Sequence, residues 1–299
     1  MKVGLQLPSF TWPGGPAAIP GHLARIAGVA EDAGFSSLWV MDHLWQLPQN
    51  TGWGGPDAPM LEAYTTLGFL ARSTSRIRLG ALVGAVHFRE PGVLVKAATT
   101  LDVLSEGRAY LGLGAGWYDA EATGLGIPFP DRSDRFRRLG DTLRFVHHTW
   151  SGDRSTYEGQ TMRAAGPILN PPPVSRPHPP IMIGGWGERT LLRLVARYAD
   201  ALNIGVPDPG ESRHKLDVLR SHCEAVGRPY EDIEKTALIE VDLRAGHQTV
   251  ADVIAAIERQ GDEGMEHVIV NMPDAETIRP LEVFGREIVP AVAEWSAPA

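Results

Sequence analysis

The segment SSLWVMDHLW, residues 36–45, is apolar through Met41 and then places an acid and an imidazole side by side. An apolar run without polar alternation is typical of a strand that is buried on both faces of a parallel sheet. An Asp at the end of a strand often forms a turn through local hydrogen bonds, so Asp42 and His43 alone indicate only a strand and a loop. Whether Asp42 and His43 also have a function depends on where this strand lies within the whole chain.

Short β-rich runs followed by helical patterns recur along the chain. The predicted strands cover residues 3–7, 37–41, 77–83, 109–113, 180–183, 201–204, 236–243 and 267–270, and the clearest predicted helices lie near 20–33, 61–74, 92–105 and 132–150. Eight strand–helix units in a chain of 299 residues favour a closed parallel barrel over an open doubly wound sheet. The sequence therefore predicts a (β/α)8 TIM barrel, with residues 1–299 as a single domain.

Residues 151–180 interrupt this alternation, and the end of the segment is rich in proline. Proline fixes φ and removes a hydrogen-bond donor, so a helix is disfavoured here. We expect an extended insertion near 151–180, with a small hairpin at most.

The composition is that of a globular protein, with 43% hydrophobic and 21% charged residues. A formal net charge of −8 supplies no field that would attract nucleic acid or anionic lipid. Cys223 is the single cysteine, so an internal disulfide and a cysteine metal cluster are excluded, and no apolar run reaches the length of about 18 residues expected of a membrane span. We expect a cytoplasmic protein that acts on a small molecule and has neither nucleic-acid nor membrane partners.

In a barrel of this kind the active site is formed by the loops that follow the carboxyl ends of the strands. Two glycine-rich segments fall there, GLGAG at 112–116 and GGWG at 184–187, together with Asp42 and His43. The first lacks the dinucleotide fingerprint and is equally compatible with a tight turn. The second precedes a predicted helix, whose free N–H groups favour an anion, although a tight strand-to-helix turn remains an alternative. No His, Asp or Glu spacing indicates a metal site.

His87 follows the third predicted strand, and a solvated loop histidine is the favoured interpretation. The remaining histidines are assigned no chemistry.

Seven ordered segments carry a resemblance to a known family; they are residues 33–43, 78–83, 91–104, 107–117, 126–130, 135–136 and 179–185. On these segments the chain resembles the luciferase-like monooxygenase superfamily, and within it the oxidoreductases that depend on the deazaflavin coenzyme F420. Enzymes that use flavin mononucleotide (FMN) share the same barrel and much of the same pattern, so FMN is the alternative cofactor. The resemblance also implies a homodimer.

The resemblance implies a deazaflavin ring held across the barrel mouth, against a bulge after the third strand that often contains a non-prolyl cis peptide, here Leu82–Val83. It implies that Asp42 meets the ring system and that His43 works beside the reacting carbon as the catalytic proton donor or acceptor. Because neighbours on an extended strand point to opposite sides, Asp42 is expected to contact cofactor or backbone and not His43. The expected cofactor-binding residues are Asp42, Leu82, Val83, Ala85, Gly114, Gly116, Gly184, Gly185 and Gly187.

Two residues differ from those of the branch that oxidises sugar phosphates, and they narrow the range of expected substrates. There an acidic residue follows the glycine run and a lysine follows the sixth strand, whereas this chain has Trp117 and, approximately, Asp208. A sugar phosphate is therefore disfavoured. Tryptophans in the loops suggest an aromatic-walled pocket for a flat or apolar molecule; they are Trp12, Trp45, Trp53 and Trp117.

The predicted function is F420-dependent hydride transfer to or from a small organic substrate, as a reductase of an activated C=C or C=N bond. The alternatives are an FMN-dependent monooxygenase of the same superfamily and a barrel that binds a flavin or another ligand without turnover.

Overall fold

The computed structural model describes residues 1–48, 53–205, 210–293 and 295. Its strands are β1 (Lys2–Leu7), β2 (Ser37–Val40), β3 (Arg78–Ala81), β4 (Gly84–Ala85), β5 (Leu111–Gly114), β6 (Tyr157–Glu158), β7 (Arg163–Ala164), β8 (Ile181–Gly184), β9 (Ala201–Gly205), β10 (Glu234–Glu240) and β11 (His267–Asn271). Its α-helices are α1 (Ile19–Asp32), α2 (Ala63–Ser73), α3 (Pro91–Leu104), α4 (Asp119–Gly124), α5 (Arg132–Trp150), α6 (Leu191–Tyr198), α7 (Glu211–Val226), α8 (Val250–Asp262), α9 (Arg279–Val283) and α10 (Val289–Ala293).

The main sheet is parallel and has the strand order β3-β2-β1-β11-β10-β9-β8-β5-β4. Its two ends are β3, which falls within the third predicted strand, and β4, which begins directly after that predicted strand. A parallel bridge between Leu79 and Ala109 links β3 to the segment before β5. The sheet therefore curls into a nearly closed barrel surrounded by helices, which confirms the predicted (β/α)8 architecture.

The break in the third strand is at the predicted place. β3 pairs with β2, β4 pairs with β5, and the peptide bond between Leu82 and Val83, which joins them, is cis. Both the bulge and the cis bond that were expected here are confirmed. Leu82 and Val83 thus lie where the chain passes from pairing with β2 to pairing with β5.

The barrel interior is filled mainly by apolar side chains. Trp39, Leu82, Tyr110, Met182, Ala201 and Ile269 form this inner cluster. The indole N–H of Trp39 donates to Ser37 Oγ at 2.7 Å, and Ser37 Oγ lies 2.9 Å from His267 Nε2, so these three buried polar side chains are linked. Outside the barrel, larger apolar clusters bury the inner faces of the helices against the strands.

Residues 151–180 form the expected insertion. The segment contains the two-residue antiparallel hairpin β6–β7, and cis peptide bonds precede Pro171 and Pro177. Helix α5, which leads into it, begins where the Asp131 carboxylate accepts a hydrogen bond from the backbone N–H of Asp134 at 2.9 Å. Among the described residues, no helix is long and apolar enough to cross a membrane.

Candidate active site

A cavity of about 860 Å³ opens at the carboxyl ends of the barrel strands. Its wall combines aromatic side chains, glycines and a few titratable groups. The lining includes Asp42, His43, Leu82, Val83, Ala85, His87, Phe88, Gly114, Gly116, Trp117, Tyr118, Glu121, Arg132, Arg135, Phe136, Gly184, Gly185, Trp186, Gly187 and Asn203. The structure thus brings together at one cavity His43 and every residue expected to bind the cofactor. A largely apolar cavity with a few convergent polar groups is the usual form of a small-molecule site.

His43 is held by a buried carboxylate. Its Nδ1 lies 2.6 Å from Glu121 Oε1, and the other oxygen of Glu121 accepts the backbone N–H of Leu44 at 2.8 Å. The Glu121 side chain is 1% exposed, and that of His43 is 15% exposed. When Glu121 is ionised it can only accept hydrogen bonds, and the proton of this contact then lies on His43 Nδ1. Nε2 is left outside this contact, and His43 lines the cavity, the arrangement that a positioned acid or base requires.

Asp42 faces away from His43 and forms a separate network. Two of its contacts are with Arg89, whose two terminal nitrogens donate to the carboxylate at 2.7 and 2.8 Å, and a third is with the backbone N–H of Ala85 at 3.3 Å. Burial opposes the charge on Arg89, but the hydrogen bonds and charge of Asp42 outweigh it and keep the pKa of Arg89 above its ordinary value. As expected, Asp42 does not pair with His43. Its bond to Ala85 fixes the backbone beside the break in the third strand.

Val83 occupies the centre of a cradle built from glycine. A Cβ atom added to Gly184 would lie 2.7 Å from Val83 Cγ2, and one added to Gly114 would lie 3.0 Å from the same atom. Gly185 has a φ of 130°, a conformation that L-residues rarely adopt. These glycines let the backbones of β5 and β8 approach Val83 closely. The cradle is compatible with a planar ring that lies against bare backbone. Gly185 and Gly187 lie before α6, whose free N–H groups favour an anion.

His87 is not a solvated loop histidine, and that expectation is wrong. The residue is 7% exposed, and its ring packs against Phe88 and edge-on against Phe129, with centroid distances of 4.4 and 5.0 Å. Neither ring nitrogen has a hydrogen-bond partner in the described part of the chain. Burial, followed by the positive charge of Arg135, lowers the pKa of His87 to about 4. The loop after β4 turns the ring inwards, because Gly116 leaves room for it.

The tryptophans separate into two groups. Trp117 lines the cavity and is 65% exposed at its rim, and Trp186, which was not predicted, does the same at 54%. Trp45 instead packs beneath α4, where a Cβ atom on Gly124 would lie 2.2 Å from its ring. Trp12 packs against Phe10 and His22, away from the cavity.

The structure therefore does not place Trp12 or Trp45 in the pocket for which the sequence suggested them, because their rings fill gaps between a loop and a helix. Trp53 lines a small separate cavity, which it shares with Trp12. Asp208, which stands near the position of the expected lysine, lies outside the described residues.

Sequence reasoning missed the two side chains that organise the polar end of the cavity. Glu121 lies on α4, a helix of six residues that is too short to give a periodic signal, and Arg89 follows the third strand within a loop. The adjacent acids Asp119 and Glu121, just after the glycine run, were the available clue to the first. Nothing in the sequence pattern indicated that Arg89 would pair with Asp42, 47 positions earlier.

Comparison with known proteins agrees with this geometry. The sequence profile described as luciferase-like monooxygenase matches residues 1–286. A protein of Kineococcus radiotolerans named F420-dependent glucose-6-phosphate dehydrogenase is 33% identical over 235 residues, which make up 75% of this chain and 64% of that relative. The chain thus matches less than two thirds of that relative's length.

Two solved structures share the fold over almost the whole chain. An F420-dependent secondary alcohol dehydrogenase in complex with an F420-acetone adduct superposes with a TM-score of 0.82, at 18% identity, over 97% of this chain and 98% of that one. The coenzyme F420-dependent tetrahydromethanopterin reductase from Methanopyrus kandleri gives a TM-score of 0.79, also at 18% identity and with the same coverage. With the profile match over residues 1–286, these findings establish that the chain belongs to the luciferase-like monooxygenase family.

Proposed function

We propose that this protein is an F420-dependent oxidoreductase that reduces an activated C=C or C=N bond in a small, flat organic substrate. The observation that carries the proposal is the contact of 2.6 Å between His43 Nδ1 and the buried Glu121, which orients the imidazole at the cavity wall and leaves Nε2 outside the contact. The names of the relatives support the choice of coenzyme. The mainly apolar, aromatic wall of the cavity supports the choice of substrate.

The deazaflavin coenzyme, when bound, supplies or accepts the hydride. A double bond that gains a hydride at one atom needs a proton at the other, and His43 can deliver that proton from Nε2 and recover it from solvent. Glu121 holds the ring in place and stabilises the imidazolium before the proton leaves. In the oxidative direction the same nitrogen would accept the proton.

The remaining residues of the site bind and orient. Leu82, Val83 and Gly114 would support the ring, with Ala85 held in position by Asp42. Gly184, Gly185 and Gly187 precede α6, whose first backbone N–H groups would receive the phosphate. Trp117 and Trp186, both exposed at the rim, would cover a flat ligand and restrict water.

A sugar phosphate is a less suitable substrate, although a relative is named for one. Trp117 stands where the sugar-phosphate branch has an acid, and its indole cannot accept a proton from a hydroxyl group. Glu121, the nearby acid, is already engaged by His43 and by the backbone of Leu44. A homodimer and a cytoplasmic location, expected from sequence, remain predictions.

The coenzyme is tested by thermal unfolding of the purified protein with F420 or with FMN at equal concentration. A ligand that binds only the folded state stabilises it by about 2.7 kcal/mol at a hundredfold excess over its dissociation constant. We expect F420 to give the larger shift. A larger shift with FMN would contradict the choice of coenzyme and favour the monooxygenase alternative.

A matched pair of variants locates the binding. Gly184→Ala places a methyl group 2.7 Å from Val83 and should reduce the shift that F420 induces. Gly21→Ala, on α1, meets nothing within 4 Å and should leave that shift unchanged. Equal shifts in both variants would place the coenzyme elsewhere. Unfolding without ligand shows whether either variant is destabilised in itself.

A further inference from the structure

Arg89 lies behind the wall of the candidate active site and has no role in the proposed reaction. It stands in the loop between β4 and α3, and its side chain is 13% exposed. It is absent from the lining of the cavity in the part of the chain that the structure describes. A guanidinium group stays charged at the pH values at which proteins work, and burying a charge is costly unless the group is paired and hydrogen-bonded. The partners of Arg89 therefore indicate its function.

The main partner of Arg89 is the carboxylate of Asp42. The two groups make parallel hydrogen bonds of 2.7 and 2.8 Å, the bidentate geometry that fixes both the position and the plane of a carboxylate. The Asp42 side chain is 0% exposed. Of about four acceptor positions on an ionised carboxylate, Arg89 occupies two and the backbone N–H of Ala85 a third. Asp42 thus acts on a ligand mainly through the backbone that it holds.

That backbone is the edge of β4, at the end of the main sheet. Successive N–H groups of a strand point to opposite edges, and here the N–H of Val86, just after β4, donates to Gly114 O of β5 at 3.1 Å. The N–H of Ala85 points the other way, where the described part of the sheet ends, and donates to Asp42 at 3.3 Å. The carboxylate therefore takes the place of a strand partner close to Val83 and the glycine cradle.

The loop that carries Arg89 is itself fixed from two sides. Arg138 of α5 donates to the carbonyl oxygens of Val86 at 2.9 Å and of Arg89 at 3.2 Å. On the far side, the Arg89 guanidinium also donates to Glu62, whose other oxygen accepts the backbone N–H of Thr65 at the start of α2. Arg89 is therefore held by contacts within the protein itself, as a residue that orients another side chain must be.

We propose that Arg89 is a positioning residue for the ring of the bound coenzyme. It holds Asp42, Asp42 holds the N–H of Ala85, and the wall formed by Val83 and Ala85 keeps the shape against which the ring binds. Arg89 touches neither the coenzyme nor the substrate. The inference rests on the proposed function, which places the ring at this wall. It separates two polar networks, because Asp42 and Arg89 serve binding, whereas the network of His43 serves proton transfer.

The test is a double-mutant cycle on F420 affinity, measured by fluorescence titration. Arg89→Gln and Asp42→Asn should each weaken binding by about tenfold, a usual effect within one hydrogen-bonded network. The double variant should bind within about twofold of the weaker-binding single variant, because both substitutions remove the same hold on Ala85. A loss in the double variant equal to the product of the two single losses would mean that Arg89 does not act through Asp42, and would overturn the inference.

Turnover distinguishes positioning from catalysis. At saturating F420, kcat should stay within about threefold in Arg89→Gln, while the F420 concentration needed for half the maximal rate rises. Arg89→Lys keeps the charge but not the parallel hydrogen bonds, so it should recover affinity only in part, by about threefold. A fall in kcat of about a hundredfold at saturation would place Arg89 in the chemical step, and the inference would be wrong. Should Arg89→Gln not fold, Arg89→Lys takes its place in the cycle.

Arg108→Gln is the matched control for stability. Arg108 precedes β5 at the opposite end of the barrel, where its guanidinium donates to the carbonyl oxygens of Ala71 and Ile77, each at 2.9 Å. Losing these bonds should lower the unfolding temperature, but F420 affinity should stay within about twofold. If Arg108→Gln weakens F420 binding as much as Arg89→Gln does, the loss follows from general destabilisation, and the inference is overturned.

The titrations are repeated with FMN, so that the role of Arg89 and the choice of coenzyme are decided separately. If the natural protein binds FMN and not F420, the proposed coenzyme is wrong, and the cycle measured with FMN still decides whether Arg89 acts through Asp42. If neither binds, the proposed function fails, and the inference fails with it.

Discussion

Two histidines line the same cavity in opposite environments. His43, after β2, has a buried carboxylate 2.6 Å from Nδ1 and one nitrogen left over. His87, after β4, is 7% exposed and has no hydrogen-bond partner among the described residues. A position at the carboxyl end of a strand therefore does not by itself allow a histidine to act as an acid or base. The histidine also needs a hydrogen-bond partner on one ring nitrogen that leaves the other nitrogen available.

The two environments differ in what they allow the ring to do. The pKa of His87 is lowered to about 4 by burial and by the charge of Arg135, so its ring is neutral near pH 7. A ring that stays neutral near pH 7 has no acidic imidazolium proton to donate there. Glu121, by contrast, lies 2.6 Å from His43 Nδ1, and a carboxylate in that position stabilises an imidazolium during proton transfer. The variants below test this difference between His43 and His87.

The largest expected effect is that of His43→Ala. Removing the imidazole should lower turnover of the reduced substrate by about a hundredfold to ten-thousandfold, the range for lost acid–base catalysis, while F420 affinity changes little. Steady-state kinetics and coenzyme titration measure the two quantities separately. His247→Ala, at an exposed position far along the chain, is the control. A variant that binds F420 weakly but turns over normally when saturated would assign His43 to binding instead.

The next effect is that of Glu121→Gln. An amide keeps the shape but removes the charge that fixes the Nδ1 proton of His43, so turnover should fall by roughly tenfold to a hundredfold, as for other carboxylates that orient a histidine. Glu121→Asp should recover part of this loss. A purely structural role would leave the Nδ1 proton resonance of His43 unchanged in the folded Gln variant. In that case Glu121 would only cap the loop through Leu44.

The smallest expected effect is on the pH dependence of the unfolding free energy, and it comes from His87. The folded pKa of about 4 lies below the ordinary value of 6.5, so between these pH values the unfolded chain takes up a proton that the folded protein does not. The stability that comes from the neutral ring is therefore complete above about pH 6.5 and is lost as the pH falls towards 4, with a slope of at most about 1.4 kcal/mol per pH unit.

His87→Phe cannot titrate, so this pH dependence should disappear. Comparing pH 7.5 with pH 5, we expect the variant to lose about 1–2 kcal/mol less unfolding free energy than the natural protein. Urea unfolding at the two pH values measures the difference, and any constant packing change near Gly116 cancels. The same loss in both proteins would mean that His87 is solvated when folded.

The fold was predictable because its signal is repeated and local. Each apolar strand and the longer helices were located within a few residues, and α5 was predicted over the residues it occupies, 132–150. The site was predictable only where the barrel rule applies, namely at strand ends such as His43 and Gly184. Glu121 and Arg89 act through contacts across 78 and 47 positions of sequence, which no local pattern encodes.

The tryptophans and His87 show that sequence position does not predict the direction of a loop side chain. Loop residues were assigned to pocket or solvent by sequence position, but the side-chain direction depends on packing between loops. Trp45 turns under α4 because Gly124 leaves space, and His87 turns inwards because Gly116 does. Such small cavities between neighbouring segments exist only once the tertiary structure has formed.

The most direct test of the division between the two histidines is nitrogen-detected NMR of both rings across pH, in the protein without substrate. We predict that neutral His43 carries its proton on Nδ1, that Glu121→Gln disturbs this proton, and that His87 remains neutral until the pH approaches about 4. A His43 ring whose neutral form is protonated on Nε2, or a His87 ring that titrates near pH 6.5, would contradict it.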